Sequence, residues 1–299
     1  MTADLRTSKP AQHRPDLQGL MVMCAPNGAR RVKSDHAALP VTPSELARAC
    51  GALAREGVSV LHLHVRDDDG RHTLSPRAYR AAIDAIESAV GDALVIQVTT
   101  EAAGRYSPAE QMKTVQDLKP EAVSLALREF IPDRSEPESA LNFFREVADM
   151  GCWAQYIVYS PEELVYLDAL RKSGSLGLMR PSCLLVLGSY LNSRNGSLPE
   201  LEAFLATGLL TEFSWAACCF GPTEKDVLLT AAHAGGHVRL GFENNIELRE
   251  GTRAQSNAEL ISGFLSEWNE PGRPVVSARE IRHSFCIQGH RVPKLRLDN

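Results

Sequence analysis

The sequence lacks the features that mark several large classes of protein. Its longest apolar runs, such as 184–187, fall far short of the ~20 residues that a membrane-spanning helix needs. Its seven cysteines, an odd number without a C-x-x-C pair, do not form a disulfide framework and suit a reducing cytoplasm. A net charge of -5 offers no positive field to a nucleic acid. We therefore expect neither a membrane protein nor a nucleic-acid binder.

The two ends of the chain differ from its middle. Residues 1–19 are polar and contain no apolar core of the kind found in a secretory signal, so we expect a flexible tail and a cytoplasmic location. Residues 20–299 contain no linker or low-complexity segment, which predicts one domain. The part after about residue 268 has the character of a C-terminal appendage, with a possible helix over 277–284.

The middle of the chain repeats one pattern, in which a short apolar run is followed by a helical segment of about a dozen residues. Most of the runs are continuously apolar, as is typical of parallel strands that are buried on both faces. Eight such units in about 250 residues predict an α/β fold, a closed (β/α)8 or TIM barrel. An open doubly wound sheet is the alternative, but no G-x-G-x-x-G follows the first strand. The eight predicted strands are 20–25, 58–66, 93–100, 122–127, 153–160, 182–189, 213–220 and 237–243.

Several predicted strands are followed by the same helix-start signal. It consists of a hydroxyl residue at the N-cap, a proline at the first helical position and a glutamate three residues after the cap. The tetrads at 42–45, 107–110 and 160–163 fit this capping box, and 221–224 is a weaker copy. Their recurrence supports a repeated strand-to-helix connection.

The second predicted strand carries alternating polar side chains. His62, His64 and Arg66 alternate with aliphatic residues, so a strand places all three on one face, which is the barrel interior, or lumen. They lie near the carboxyl end of the strand, where barrels of this type build their active sites. Two imidazoles at this spacing are able to hold a divalent metal, although two hydrogen-bonded structural histidines would give the same pattern.

The eighth predicted strand repeats this arrangement with Arg239, Gly241 and Glu243 on one face. Because the first and eighth strands of a closed barrel are neighbours, Glu243 and the two histidines are expected to converge at the mouth of the lumen. Two histidines and a carboxylate leave coordination positions open for water or substrate, as in catalytic zinc sites. The alternative interpretation is a salt bridge between Arg239 and Glu243 inside the lumen.

Polar residues also follow the third and fourth predicted strands. Thr99 and Thr100 place two hydroxyls at the same rim, and Glu101 adds a carboxylate on the loop beyond. Arg128 and Glu129 follow the fourth strand directly. This pair is suited either to contact a polar substrate or to form an ion pair on a solvated loop.

Four segments together resemble a known family. The chain is similar to the β-keto acid cleavage enzymes, whose name-giving member is 3-keto-5-aminohexanoate cleavage enzyme, from about residue 20 to 285. The resemblance implies a zinc-bearing (β/α)8 barrel, usually a homotetramer, that converts a β-keto acid and acetyl-CoA into acetoacetate and a new acyl-CoA. The segments are APNGAR (25–30), HLHVRDDDGRHTLSP (62–76), IQVTTEAAGR (96–105) and GGHVRLGFENNIELREGTRAQSN (235–257).

The resemblance also assigns expected roles to residues of this chain. It implies zinc ligands at His62, His64 and Glu243, although the ligand set also suits iron, manganese or nickel. The family's arginine on the eighth strand matches Arg239, and its hydroxyl residue after the third strand matches Thr99. Together with the polar residues at the strand ends and the two departures described next, the expected catalytic residues are Arg239, Thr99, Thr100, Asn244 and Glu129, and the expected substrate-binding residues are Asn27, Arg66 and Glu101.

Two positions depart from the name-giving member of the family. Asn244 stands where that member has an aspartate, and an amide does not accept a proton at neutral pH. Asn27 stands where that member has an acidic residue, which indicates a substrate without a cationic amino group. Glu129 or Glu101 is a candidate for the missing carboxylate.

The sequence therefore predicts a metal-dependent enzyme that condenses a β-keto acid with acetyl-CoA and then performs a retro-Claisen cleavage. One alternative is a CoA-independent metal aldolase or decarboxylase. Another is a non-catalytic family descendant that binds an acyl-CoA or keto acid. Metal-dependent hydrolysis of the amidohydrolase type is disfavoured, because the fifth and sixth predicted strands contain no further histidine.

Overall fold

The core of the molecule is a closed barrel of parallel strands. The computed structural model describes residues 17–177, 180–190, 194–248 and 251–287. Within these ranges the strands are β1 Val22–Cys24, β2 Val60–Leu63, β3 Val65–Arg66, β4 His72–Thr73, β5 Val95–Thr99, β6 Ala122–Ala126, β7 Trp153–Val158, β8 Ser182–Leu187, β9 Ser214–Cys219 and β10 His237–Leu240. Eight of them close in the order β1-β10-β9-β8-β7-β6-β5-β2, and β3 pairs with β4 as a separate hairpin. The predicted (β/α)8 barrel is confirmed.

Helices follow the barrel strands around the outside. They are α1 Pro43–Arg55, α2 Pro76–Val90, α3 Pro108–Leu118, α4 Leu127–Phe130, α5 Glu138–Asp149, α6 Pro161–Lys172, α7 Leu198–Leu205, α8 Glu224–His233, α9 Asn257–Leu265 and α10 Ala278–Ser284. None of the helices in the described ranges is long and apolar enough to cross a membrane.

The predicted capping boxes are confirmed at two helices. Thr42 and Ser107 each accept a hydrogen bond from the backbone of the glutamate three residues on, whose carboxylate accepts from the cap in return. At α6, Ser160 caps the helix, but the carboxylate of Glu163 accepts from Tyr159 instead. At α8 the predicted weaker box is wrong, since Glu224 is the first helical residue and its carboxylate turns toward the barrel.

Alternation along each strand divides the core into two layers. Leu61 and Leu63 of β2 pack outward against the helices, while His62 between them faces the lumen. Lumen-facing residues such as Met23 and Trp153 belong to a second apolar cluster inside the barrel. Buried polar side chains such as His62, Gln97 and Gln155 share this lumen.

The C-terminal segment packs under the amino end of the barrel. Helix α10 coincides with the helix predicted over 277–284, and the Phe285 ring stacks on Trp153 at a centroid distance of 4.5 Å. Arg282 donates from Nε to Glu121 at 2.8 Å. Of the tail predicted at 1–19, residues 1–16 lie outside the described residues, as does the end of the chain at 288–299.

Candidate metal centre

The first histidine is fixed by a polar side chain on the neighbouring strand. Nδ1 of His62 lies 2.8 Å from Oε1 of Gln97 on β5, an oxygen that only accepts hydrogen bonds. Nδ1 therefore carries the ring proton, and Nε2 presents a lone pair to the lumen. Burial, reinforced by the charge of Arg239, lowers the pKa of His62 to about 3, so the ring is neutral.

His64 lies just beyond β2 and faces the same point. Its Nε2 is 3.2 Å from Nε2 of His62, and its side chain is fully buried. The backbone carbonyl of His64 accepts a hydrogen bond from the amide of Asn27 at 3.1 Å. This contact holds the residue at the end of the strand.

A turn, and not the strand, delivers the carboxylate. The predicted eighth strand over 237–243 is too long, because β10 ends at Leu240. At the next residue, Gly241, φ is +135°, and a Cβ atom there would lie 2.4 Å from the carbonyl oxygen of Ala25. Only glycine permits this close approach. The turn brings Oε2 of Glu243 within 3.1 Å of His64 Nε2 and 3.7 Å of His62 Nε2.

Arg239 neutralises this carboxylate. Its Nη2 donates to Glu243 Oε1 at 3.0 Å and to Asn244 Oδ1 at 3.2 Å. Burial is the largest single influence and raises the pKa of Glu243, but Arg239, His64 and His62 together outweigh it and hold the pKa well below its usual range. Glu243 is therefore ionised. The salt bridge between Arg239 and Glu243 and the cluster of Glu243 with the two histidines are therefore both present. They share the carboxylate of Glu243.

The three side chains fit a divalent metal ion. One ligand atom from each of His62, His64 and Glu243 lies within 4.8 Å of the others, and all three residues are buried. Within the described part of the chain, Oε2 of Glu243 makes no hydrogen bond of acceptable geometry. Two buried imidazoles and one carboxylate form a donor set that transition metals and zinc accept.

A cavity of about 210 Å³ opens beside this cluster at the carboxyl end of the barrel. It brings together most of the residues predicted for the site, and its polar lining includes His62, Thr99, Thr100, Glu101, Ser124, Glu129, Arg239 and Glu243. Its apolar wall consists of Ala126, Ile157, Val186 and Phe220.

The predicted hydroxyls at the rim are not equivalent. Oγ1 of Thr99 accepts from the backbone nitrogen of Glu101, which leaves its own proton free for a ligand. Oγ1 of Thr100 instead donates to the carbonyl of Ser124 at 2.8 Å. Ser124 also lines the cavity, and its Oγ has no hydrogen-bond partner among the residues described. Sequence analysis missed Ser124 because a serine within an apolar strand carries no special signal.

The two candidate carboxylates also differ. Oε2 of Glu129 accepts from the backbone nitrogen of Ala102 and from Gln111 at 3.0 and 2.7 Å. Among the described residues, the Glu101 carboxylate forms a long ion pair with Arg30 at 3.8 Å. Burial raises the pKa of both carboxyls. Glu129 is thus tied into the wall, whereas Glu101 is less constrained.

Besides His64, three predicted site residues lie outside the cavity lining. The structure does not place Arg66 with the histidines, because β2 ends at Leu63 and the chain turns into a hairpin; its guanidinium donates to backbone carbonyls such as that of Arg31. Asn27 is fully buried and supports His64 from behind. Asn244 is buried against Arg239. The side chains of Arg66 and Asn27 thus hold backbone segments in place.

The chain is similar to known proteins over most of its length. A family model described as beta-keto acid cleavage enzyme matches residues 19–287. The chain belongs to this family. It is 30% identical over 277 residues to 3-keto-5-aminohexanoate cleavage enzyme of Acetoanaerobium sticklandii, covering 91% of this chain and 99% of that one. It is 37% identical over 300 aligned positions to 3,5-dioxohexanoate:acetyl-CoA acetone transferase of Paraburkholderia graminis, covering 90% of this chain and 96% of that one.

Solved structures support the fold of this beta-keto acid cleavage enzyme. The complex of ObcA with oxaloacetate superposes with a TM-score of 0.64 at 16% identity, covering 83% of this chain and 67% of that one. At this identity the likeness concerns the barrel alone.

One further residue of the beta-keto acid cleavage enzyme site was not predicted. The carboxylate of Glu224 accepts hydrogen bonds from the backbone nitrogen of Gly241 at 3.3 Å and from Asn245 at 3.2 Å. It therefore braces the turn that carries Glu243. In the sequence, Glu224 stands at the glutamate position of a weak capping box. No sequence signal distinguished a helix-capping glutamate from one that supports the turn of Glu243.

Proposed function

We propose that this beta-keto acid cleavage enzyme transfers the acyl group of a β-keto acid to coenzyme A. A keto acid R–CO–CH2–COO⁻ and acetyl-CoA would yield acetoacetate and R–CO–S–CoA, so the CH2–COO⁻ unit passes to the acetyl group. The observation that carries the proposal is the convergence of His62, His64 and Glu243 beside Arg239 at one end of the cavity.

The proposed cofactor is a zinc ion held by Nε2 of His62, Nε2 of His64 and Oε2 of Glu243. A divalent ion there would act as a Lewis acid toward the keto and carboxylate oxygens of the substrate. The chain prepares this centre in two ways. Gln97 fixes the tautomer of His62, and Arg239 keeps Glu243 ionised.

Charged and hydroxyl groups of the cavity would stabilise the anionic substrate. Arg239 supplies a buried positive charge at the cavity wall, where a carboxylate is attracted more strongly than in water. Thr99 has a free hydroxyl proton to donate, and Ser124 offers a second hydroxyl. These donors would act on oxygens that gain charge as the C–C bonds form and break.

The condensation requires a base that removes a proton from the CH2 carbon between the keto and carboxylate groups. Asn244 does not accept a proton, and Glu129 is tied to Ala102 and Gln111. We assign the proton acceptor to Glu101, which lines the cavity and pairs with Arg30 at a distance of 3.8 Å. Burial raises the pKa of Glu101 toward the pH at which the enzyme works, and such a pKa suits a general base.

The cavity favours a keto acid with a short, neutral side chain. One charged side chain at its rim, Arg128, is already paired, since it contacts Glu163 at 2.6 Å and stacks over Tyr159. The wall that remains for the side chain R is the apolar set Ala126, Ile157, Val186 and Phe220. A cationic amino group would find no free carboxylate in this wall.

The proposal is tested by elemental analysis of the purified protein, followed by assays of β-keto acids with and without acetyl-CoA. About one zinc per chain and acetoacetate formed only with acetyl-CoA are expected, with neutral side chains preferred over cationic ones. Product formed without acetyl-CoA would instead support a CoA-independent aldolase or decarboxylase.

The non-catalytic alternative has its own test in Asn244→Asp. The wild-type amide already accepts from Arg239, so we expect activity in the wild type and a change of less than about tenfold in the variant. Activity that appears only in Asn244→Asp would mean that the present chain is a binding protein.

We further propose that the enzyme works in the cytoplasm as a homotetramer. Six of its cysteines are free and buried, a state that suits a reducing compartment. Light scattering coupled to size-exclusion chromatography tests the assembly, and a mass near four chains of 32.7 kDa is expected.

A further inference from the structure

The short hairpin after β2 brings a third histidine to the metal centre. Strands β3 and β4 pair in antiparallel register with Arg66 opposite His72. This register turns the His72 ring back toward β2, where it is 3% exposed. Its centroid lies 5.3 Å from that of His64. His72 is thus a direct neighbour of His64, a proposed metal ligand.

Both rings carry a buried nitrogen without a partner. In the part of the chain that the structure describes, Nδ1 of His64 and Nδ1 of His72 make no hydrogen bond. Buried polar atoms are rarely left unpaired, because each costs about 1–3 kcal/mol when it is not satisfied. Two such atoms on adjacent rings therefore point to an interaction that forms in the working protein.

The tautomers of the two rings are complementary. Nε2 of His72 lies 2.9 Å from the carbonyl oxygen of Glu101, so this nitrogen carries the proton and Nδ1 keeps a lone pair. If His64 binds a metal through Nε2, its proton must be on Nδ1. One Nδ1 is then a donor and the other an acceptor.

We propose that His72 is the positioning residue of His64, accepting a hydrogen bond from Nδ1–H of His64 directly or through one water. The contact would fix the orientation of the His64 ring and make its Nε2 a better ligand, as the outer partners of metal-bound histidines do. It also links the metal centre to the loop of Glu101 through the His72–Glu101 bond. This inference rests on the proposed metal centre.

The test measures zinc affinity by chelator competition on the intact protein. His72→Leu removes the acceptor and is expected to weaken zinc binding 10–100-fold. His72→Asn keeps an acceptor near the Nδ1 position but loses the bond to Glu101, and binding within about threefold of wild type is expected. Tyr106→Phe, which alters only hydrogen bonds of the same hairpin to Leu74 and Thr73, is the matched control and is expected to leave affinity unchanged.

Nitrogen-15 NMR of the histidine rings gives a second readout. In the zinc-loaded wild type the Nδ1–H signal of His64 should be protected from exchange, and this protection should be lost in His72→Leu and kept in His72→Asn. Equal zinc affinity in wild type and His72→Leu, or equal losses in the Leu and Asn variants, would overturn the role of His72. A wild-type protein that takes up no zinc would overturn the metal centre itself.

Discussion

Arg239 donates to one oxygen of Glu243 at 3.0 Å and leaves the other oxygen turned toward the two histidines. The two residues are almost fully buried. Each is the other's main source of charge compensation in a region of low dielectric constant. The pair therefore holds a carboxylate ionised in the barrel interior and turns its other oxygen toward Nε2 of His62 and Nε2 of His64.

Replacing Arg239 by methionine should destabilise the metal-free protein. The change leaves Glu243 buried without its counter-charge, and the free energy of unfolding should fall by about 3–5 kcal/mol. Denaturant unfolding at pH 7 measures the loss. The double variant Arg239→Met with Glu243→Gln should recover much of it, because no unpaired charge remains.

Arg71→Met is the matched control for this stability measurement. Arg71 pairs with Asp67 on the exposed hairpin turn at 3.2 Å, and solvent-exposed ion pairs of this kind add little to stability. If Arg71→Met and Arg239→Met destabilised the protein equally, the argument from burial would be wrong.

Glu243→Gln should abolish metal retention and activity together. Glutamine keeps the size of the side chain and can still meet Arg239, but it removes the anionic ligand. Zinc content after dialysis and acetoacetate formation should both drop to background. The control is Glu270→Gln, an exposed carboxylate 3.8 Å from His233. An active, zinc-free Glu243→Gln protein would contradict the assignment.

Glu101→Gln should separate proton transfer from binding. We expect kcat to fall about 10²–10⁴-fold, the usual contribution of a general base, while zinc content stays unchanged. Glu129→Gln should lower kcat no more than about threefold, because that carboxylate serves Ala102 and Gln111. Steady-state kinetics of both variants show whether Glu101 or Glu129 is the base. Comparable losses in the two would contradict the assignment of the base to Glu101.

The brace formed by Glu224 should make stability depend on pH. Burial raises the pKa of Glu224 to about 8, above its unfolded value of about 4.3. The folded state therefore holds a proton that the unfolded state has released. This contribution to the free energy of unfolding is fully present below the unfolded pKa and is lost as the pH rises toward 8, at no more than about 1.4 kcal/mol per pH unit.

Denaturant unfolding at several pH values between 5 and 8 tests this dependence. Relative to wild type, Glu224→Gln should become progressively more stable as the pH rises, since glutamine releases no proton. Glu45→Gln serves as control, because hydrogen bonds from Lys33 and from the backbone of Thr42 lower the pKa of the partly buried Glu45 to about 2, and its titration lies below this range. Parallel pH profiles for wild type and Glu224→Gln would exclude the effect.

Much of the site was within reach of sequence reasoning because strand alternation is a local rule. The period of two along β2 placed His62 in the lumen, and the capping boxes at Thr42 and Ser107 followed from adjacent residues. The same rule failed at Arg66 and across Gly241, where the chain leaves the strand. Neither the hairpin nor the turn could be seen in the alternation itself.

The sequence by itself determined the barrel, its strand order along the chain and the residue types of the metal centre, because hydrophobic period and helix caps are set by near neighbours. Only the tertiary structure decided that Glu243 reaches the histidines through a turn, that Glu224 supports this turn, and that the His72 ring lies beside the His64 ring. Those contacts join residues far apart in the chain. They depend on where buried polar atoms find partners, which is settled when the barrel closes.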